Sequence, residues 1–340
     1  MKNMKKSVLF LFLGVLFLST AQAEWVPAAQ VGPAKTNRSV AAGCLPAASF
    51  TFLDINNVRT RINTGGDMWW DLAGTPVYEI PKESRKHSMF SASLWIGGVD
   101  VNGQLKLAAL RYRQVGNDYW PGPLTTDGTA SIEPETCIQW DRHFVIKKQD
   151  VVEFLAWREN PQMYPNYRIP RSITNYPAHG DLSKRQARYL APFFDADGDG
   201  EYNYEAGDYP YYDLGNDLCP AFLPPGSIRQ PTMGSDPQWG PPSEKGGILV
   251  DQVLKGDQTV WWVFNDKGNV HTETGGAPIG LEIRAQAFAF TTNDEINNMT
   301  FYSYEIINRS TFRLTETYFS QWVDSDVGYA YDDYVGCDVL

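Results

Sequence analysis

Between residues 259 and 323 the chain repeats one pattern that constrains its fold more than any other feature. Short runs of alternating apolar and polar residues are separated by Asn/Asp turns. A period of two sends successive side chains to opposite faces of an extended strand. Thr259-Val260-Trp261-Trp262-Val263-Phe264 reads as one such strand, ending in a turn at Asn265-Asp266-Lys267-Gly268. Its neighbouring tryptophans must place one ring on each face. Residues 281–292 set Leu281, Ile283, Ala285 and Ala287 against Glu282, Arg284 and Gln286, which predicts one buried face and one wet face. Residues 300–307 and 314–323 continue the series, with turns at Asn293-Asp294 and Asn308-Arg309-Ser310. The expected fold class is mainly β, with antiparallel β-sandwich-like domains and long Pro/Gly-rich and Asp-rich loops.

The rest of the chain is organised around that block. Residues 49–194 read as a β-rich domain with a hairpin flanking residues 98–103 and a strand over 140–147. Residues 117–124 form a loop too rich in proline to pair centrally in a sheet. One short helix is expected near residues 150–158, where Val151, Val152, Phe154 and Leu155 share a face and Asp150 sits at the positive N-terminal end. Residues 24–48 read as an extended lead-in. Residues 211–247 are dense in Pro and Gly, which makes them the expected boundary before a second domain over 248–340. The chain stops at Leu340 without a closing strand, so this second sandwich is expected to be truncated and to belong to a longer protein.

Between the two halves lies Asp195-Ala196-Asp197-Gly198-Asp199-Gly200-Glu201-Tyr202-Asn203-Tyr204-Glu205-Ala206-Gly207-Asp208. Alternate carboxylates followed by a glycine make a loop able to wrap a hard cation. An all-oxygen donor set suits calcium, which takes six to eight ligands, better than zinc. The candidate ligands are Asp195, Asp197, Asp199, Glu201 (through its carbonyl) and Asn203, with Glu205 or Asp208 closing the shell. The calcium-sensing helix–loop–helix is excluded, because its twelfth position needs a bidentate Glu and here holds Ala206. A rigid structural clamp is the expected use. Asp324, Asp326, Asp332, Asp333 and Asp338 form a second carboxylate cluster after the last strand and are candidates for a second metal site.

The N-terminus and the charge place the chain outside the cell. Lys2, Lys5 and Lys6 precede an apolar run over residues 8–18, and Ala21-Gln22-Ala23 offers a cleavage site, so residues 1–23 read as a secretory signal peptide. Three lysines and no acids leave with it, lowering the formal charge from -11 to -14. So acidic a surface argues against nucleic acid and anionic lipid as partners, and no later run is long enough to span a bilayer. Cys44, Cys137, Cys219 and Cys337 form no CxxC pair; in an exported protein they allow two disulfides in three pairings that spacing does not separate.

Four segments in order, residues 177–181, 195–210, 256–266 and 324–338, make the chain resemble a group of large exported Bacteroidota proteins that carry a C-terminal type IX secretion sorting domain. The resemblance covers most of the mature chain. It implies an exported or surface-displayed N-terminal region and no established activity; the sorting domain itself is not in this sequence.

Catalytic signatures are absent: the chain has no GxSxG, HExxH, P-loop or GxGxxG motif. Cys137 with His143, His179, and His271 beside Glu273 are residues of catalytic type, but nothing in the sequence assembles them into a site. Two functions stay open on sequence alone. The first is a non-catalytic, calcium-stabilised secreted or surface module for adhesion or structure, with other surface proteins or glycans as partners. The second is a carbohydrate-active protein using paired carboxylates, with Trp69, Trp70 or Trp120 as exposed sugar platforms.

Overall fold

The computed structural model describes residues 43–212 and 254–327. Its middle layer forms around β11 (Gln258–Asn265), whose eight residues are all buried. Alternation divides them between two cores. Val260, Trp262 and Phe264 face one core, and Trp261 and Val263 face the other, so the tryptophan pair splits as expected. β11 pairs antiparallel with β12 (Leu281–Ala289), which pairs in turn with β13 (Phe301–Asn308). On its other edge β11 takes two short partners, β7 (Trp120–Pro121) and β8 (Phe144–Lys147), completing five strands. The proline-rich segment thus contributes only two residues, at the end of β11, where a missing N–H costs little.

The second sheet has seven strands: β1 (Phe50–Leu53), β2 (Arg59–Asn63), β3 (Asp67–Met68), β4 (Tyr78–Glu79), β5 (His87–Asp100), β6 (Leu105–Ala108) and β14 (Leu314–Ser325). Leu53, Ile62, Leu94 and Ile96 from this sheet meet Trp262, Phe264, Ile283 and Ala285 from the first in one core, the arrangement of a β-sandwich. The opposite face of β11 packs on a layer of helices and loops. There Val151 and Phe154 of α2 (Lys148–Glu159) meet Ile146, Ile173, Leu190 and Trp261. Two shorter helices, α1 (Pro134–Trp140) and α3 (Arg171–Thr174), lie beside it, and a two-stranded ribbon, β9 (Phe193–Phe194) with β10 (Tyr209–Pro210), closes the acidic loop. Among the described residues no helix is long and apolar enough to cross a membrane.

Four sequence expectations change. The predicted strand over 140–147 starts only at Phe144, because Pro134 and Glu135 open α1, which carries the chain to Trp140. Three α-helices form among the described residues where one was expected. The predicted wet face of β12 is dry, since Glu282 and Arg284 are 0% and 5% exposed. The layer of loops and helices covers that face, and the charges neutralise one another. Last, the halves on either side of residues 211–247 do not form separate β domains. β14 pairs with β5 along nearly its whole length, and β11 pairs with β7 and β8, so each sheet draws strands from both halves. Residues 1–42, most of the Pro/Gly-rich connection, Cys219 and Cys337 lie outside the described residues.

A disulfide joins Cys44 to Cys137 on α1 across 93 residues of chain. Both cysteines are buried with Trp120, Leu124 and Ile132 in a small third core. Of the bonds left open by the sequence, Cys44–Cys137 is therefore formed.

Candidate metal centre

The acidic loop leaves the ribbon at β9 and returns at β10, so the two strands fix its ends. Inside it, alternate carboxylates fold back onto backbone N–H groups. Asp195 accepts from Gly198 (2.7 Å) and Gly200 (2.8 Å), Asp197 from Asp199 (3.3 Å), and Asp199 from Glu201 (2.7 Å). Gly198 and Gly200 have φ of 77° and 76°, the left-handed region that glycine enters without steric cost. At Gly200 a Cβ would also stand 2.8 Å from the Tyr189 hydroxyl.

Asp208 closes the loop. It is fully buried and bridges two distant points, with Oδ1 accepting from the Ala196 N–H (2.8 Å) and Oδ2 from the Asn203 N–H (2.7 Å). Burial raises its pKa, the charges of Asp195 and Asp197 push the same way, and the two backbone bonds oppose them. One oxygen each from Asp195, Asp197 and Asp208 lie within 4.8 Å of one another. A carboxylate oxygen that accepts one backbone bond still has a lone pair for a cation. Three hard oxygen donors, one of them buried, fit calcium in donor type and charge.

The side chains of two other candidates, Glu201 and Asn203, already have protein partners. The Glu201 carboxylate is drawn into an ion pair with Arg188 and lies 3.6 Å from His179 Nε2. Asn203 Oδ1 accepts the Glu205 N–H (3.0 Å), and the Asp199 carboxylate lies outside the group of three. Arg158, at the end of α2, donates to the carbonyls of Tyr204 (3.3 Å), Glu205 (2.9 Å) and Ala206 (2.9 Å), pinning the far side of the loop. Nothing in sequence marks Arg158 for this role. Its basic position in the last turn of a helix is ordinary, and its partners lie 46 to 48 residues away.

Of the second cluster, Asp324 accepts from the Tyr112 hydroxyl (2.5 Å), and the N–H of Asp326 reaches the Ser88 carbonyl (3.1 Å). Asp332, Asp333 and Asp338 lie outside the described residues. Trp69, Trp70 and Trp120, expected as exposed platforms, are all buried: Trp69 and Trp70 lie against the seven-stranded sheet and Trp120 in the disulfide core. Glycine-rich flanks made them look like loop residues, but packing on their neighbours removes them from solvent. His271 is buried with Nδ1 2.7 Å from the Leu107 carbonyl and Nε2 2.6 Å from the Asp266 carbonyl. Both ring nitrogens thus face backbone carbonyls inside the core rather than an open ligand position. Cys137 is spent in the disulfide and is no nucleophile.

Compared with known proteins, the chain matches no family model, no curated protein sequence and no solved structure. The class that the described residues define is thus a structural one: a mainly β, antiparallel sandwich with a helical layer and a carboxylate-rich loop.

Proposed function

We propose that the chain is a non-catalytic, calcium-stabilised module of an exported protein, displayed at the cell surface or secreted, with an adhesive or structural role. The observation that carries this reading is the convergence of Asp195 and Asp197 on the buried Asp208, whose charge needs a counter-ion. A divalent cation there relieves the repulsion and fixes a loop that would otherwise cost conformational entropy to order. The Cys44–Cys137 disulfide fits an oxidising compartment, in keeping with residues 1–23 acting as a signal peptide. Membership of the type IX secretion cargo group belongs to the same proposal, as does a surface protein or glycan as partner.

Melting of the purified chain in calcium and in EGTA tests the reading. At a calcium concentration about 100-fold above Kd, linkage gives about 2.7 kcal/mol of added stability. For a unit of this size that corresponds to about 5–10 °C. Asp208→Asn should remove most of the shift. An unchanged melting temperature, with metal removal confirmed by elemental analysis, refutes the calcium assignment.

A further inference from the structure

A cavity of about 520 Å³ opens beside the metal loop, between the end of α1, β8 and residues 175–186. Its volume lies within the range of small-ligand sites. One wall is a flat platform, because the Arg142 guanidinium lies over the Phe144 ring (4.8 Å) and the Trp140 ring (5.9 Å) and forms no ion pair among the described residues. Gln186, only 4% exposed, is also part of the lining. Its Oε1 accepts the Asp181 N–H (2.9 Å), while its Nε2 has no hydrogen-bond partner among the described residues. A smaller cavity of about 150 Å³, with Thr125, Ser131 and Ser183 among its lining residues, shares Gln186 with the first.

The chemistry of these walls selects a ligand class. The Gln186 amide N–H2 has no protein acceptor among the described residues and is left to solvent, so a purely apolar ligand that displaced that water without accepting from it is disfavoured. The lining carries one cation, Arg142, and one carboxylate, Asp181, so its formal charges sum to zero, which disfavours strongly charged ligands. A cation stacked on aromatic rings together with the amides of Gln139, Asn175 and Gln186 suits a polyhydroxylated ring with one apolar face. The metal loop reaches this site directly. His179, on the cavity wall, accepts the Tyr202 N–H at Nε2 (2.8 Å) and donates from Nδ1 to the Arg188 carbonyl (2.8 Å). The Tyr202 ring packs on Tyr176, another wall residue, and its hydroxyl donates to the Ile173 carbonyl (2.8 Å).

We propose that this cavity binds a neutral oligosaccharide between Arg142 and Gln186, and that the metal loop holds its wall in place through Tyr202. The second half of the proposal rests on the calcium reading above. Calorimetric titration of the full chain with neutral hexose and N-acetylhexosamine di- to tetrasaccharides, in millimolar calcium and in EGTA, tests both halves. Saturable binding is expected, weakened about tenfold or more in Arg142→Ala and in Gln186→Met, and weakened by EGTA. Arg142→Ala should keep its melting temperature, so its loss of binding reports on the site rather than on folding. No saturable binding of any neutral sugar, binding confined to sialylated or sulfated sugars, or wild-type affinity in Arg142→Ala overturns the assignment. A calcium titration without sugar separates the two readings. Calcium binding without sugar binding refutes this proposal alone. Sugar binding indifferent to EGTA in a chain that takes up no calcium refutes the coupling and the calcium reading, and leaves the cavity assignment supported.

Discussion

Replacing Glu282 by Gln should be among the most damaging conservative substitutions in the described residues. Its carboxylate is fully buried and accepts four N–H donors: Arg284 Nε (2.9 Å) and Arg309 Nη2 (2.9 Å) on Oε1, and the Leu124 N–H (3.0 Å) and Arg309 Nε (3.2 Å) on Oε2. An amide keeps the shape but offers one acceptor oxygen. In either orientation its NH2 faces two donors, and two positive guanidiniums lose the negative charge between them. Breaking a buried ion pair by removing one partner costs about 3–5 kcal/mol. Two lost charge-assisted hydrogen bonds, at about 1.5–3 kcal/mol each, give a similar figure. Thermal and urea unfolding followed by circular dichroism should show a melting temperature lower by about 6–20 °C. Removing the charges together, as Glu282→Leu with Arg284→Leu and Arg309→Leu, should recover much of the loss, because no buried charge is then left unpaired. A cost below about 1 kcal/mol for Glu282→Gln would show that the carboxylate does not anchor the Leu124 loop to the sheet, and would refute the reasoning.

Other outcomes follow from the same contacts. Cys44→Ser, or reduction of the native chain, should cost up to about 4.7 kcal/mol on the chain-entropy account of a loop of this length, read as a lower urea midpoint. An unchanged midpoint would mean that the bond constrains nothing the unfolded chain explores. Asp208 and Glu282 should give opposite pH responses. Burial raises Asp208, so the folded metal-free chain holds its proton more tightly than the unfolded one, and this carboxyl should cost stability as pH rises through and above the ordinary aspartate range; calcium should cancel or reverse that loss. Glu282 is the converse: burial alone would raise it, but Arg284 and Arg309 hold it below the usual glutamate range. Its contribution is complete above that range and is lost as pH falls through its folded value. Unfolding across pH 3–7, with and without calcium, in wild type and in Asp208→Asn separates the two contributions; identical profiles for the two proteins would refute the assignment to Asp208.

The strands from residue 259 onward were legible because period-two alternation is local, and so was α2, whose Val151 and Phe154 meet at one face. The core side of Trp261 and Trp262 followed from the same geometry. What the sequence concealed depends on partners remote along the chain. Glu282 and Arg284 look like a solvated strand face until Leu124 and Arg309 are brought beside them. Trp69, Trp70 and Trp120 look exposed because glycines flank them, and the packing that buries them comes from elsewhere. In the acidic loop the residue types were readable but the geometry was not. Asp208, rather than the nearer Asp199, joins Asp195 and Asp197, because β9 and β10 fold the end of the loop back onto its start. The α1 signal was present in Pro134 followed by Glu135 and was masked by the aromatic run behind it.

β5 waits for β14, which lies more than two hundred residues downstream. While the chain is being synthesised, the first half of the seven-stranded sheet therefore exists for a time with one long edge unsatisfied, and a high contact order makes closure slow. A chain cut after residue 212 would keep that edge open permanently and should aggregate rather than fold.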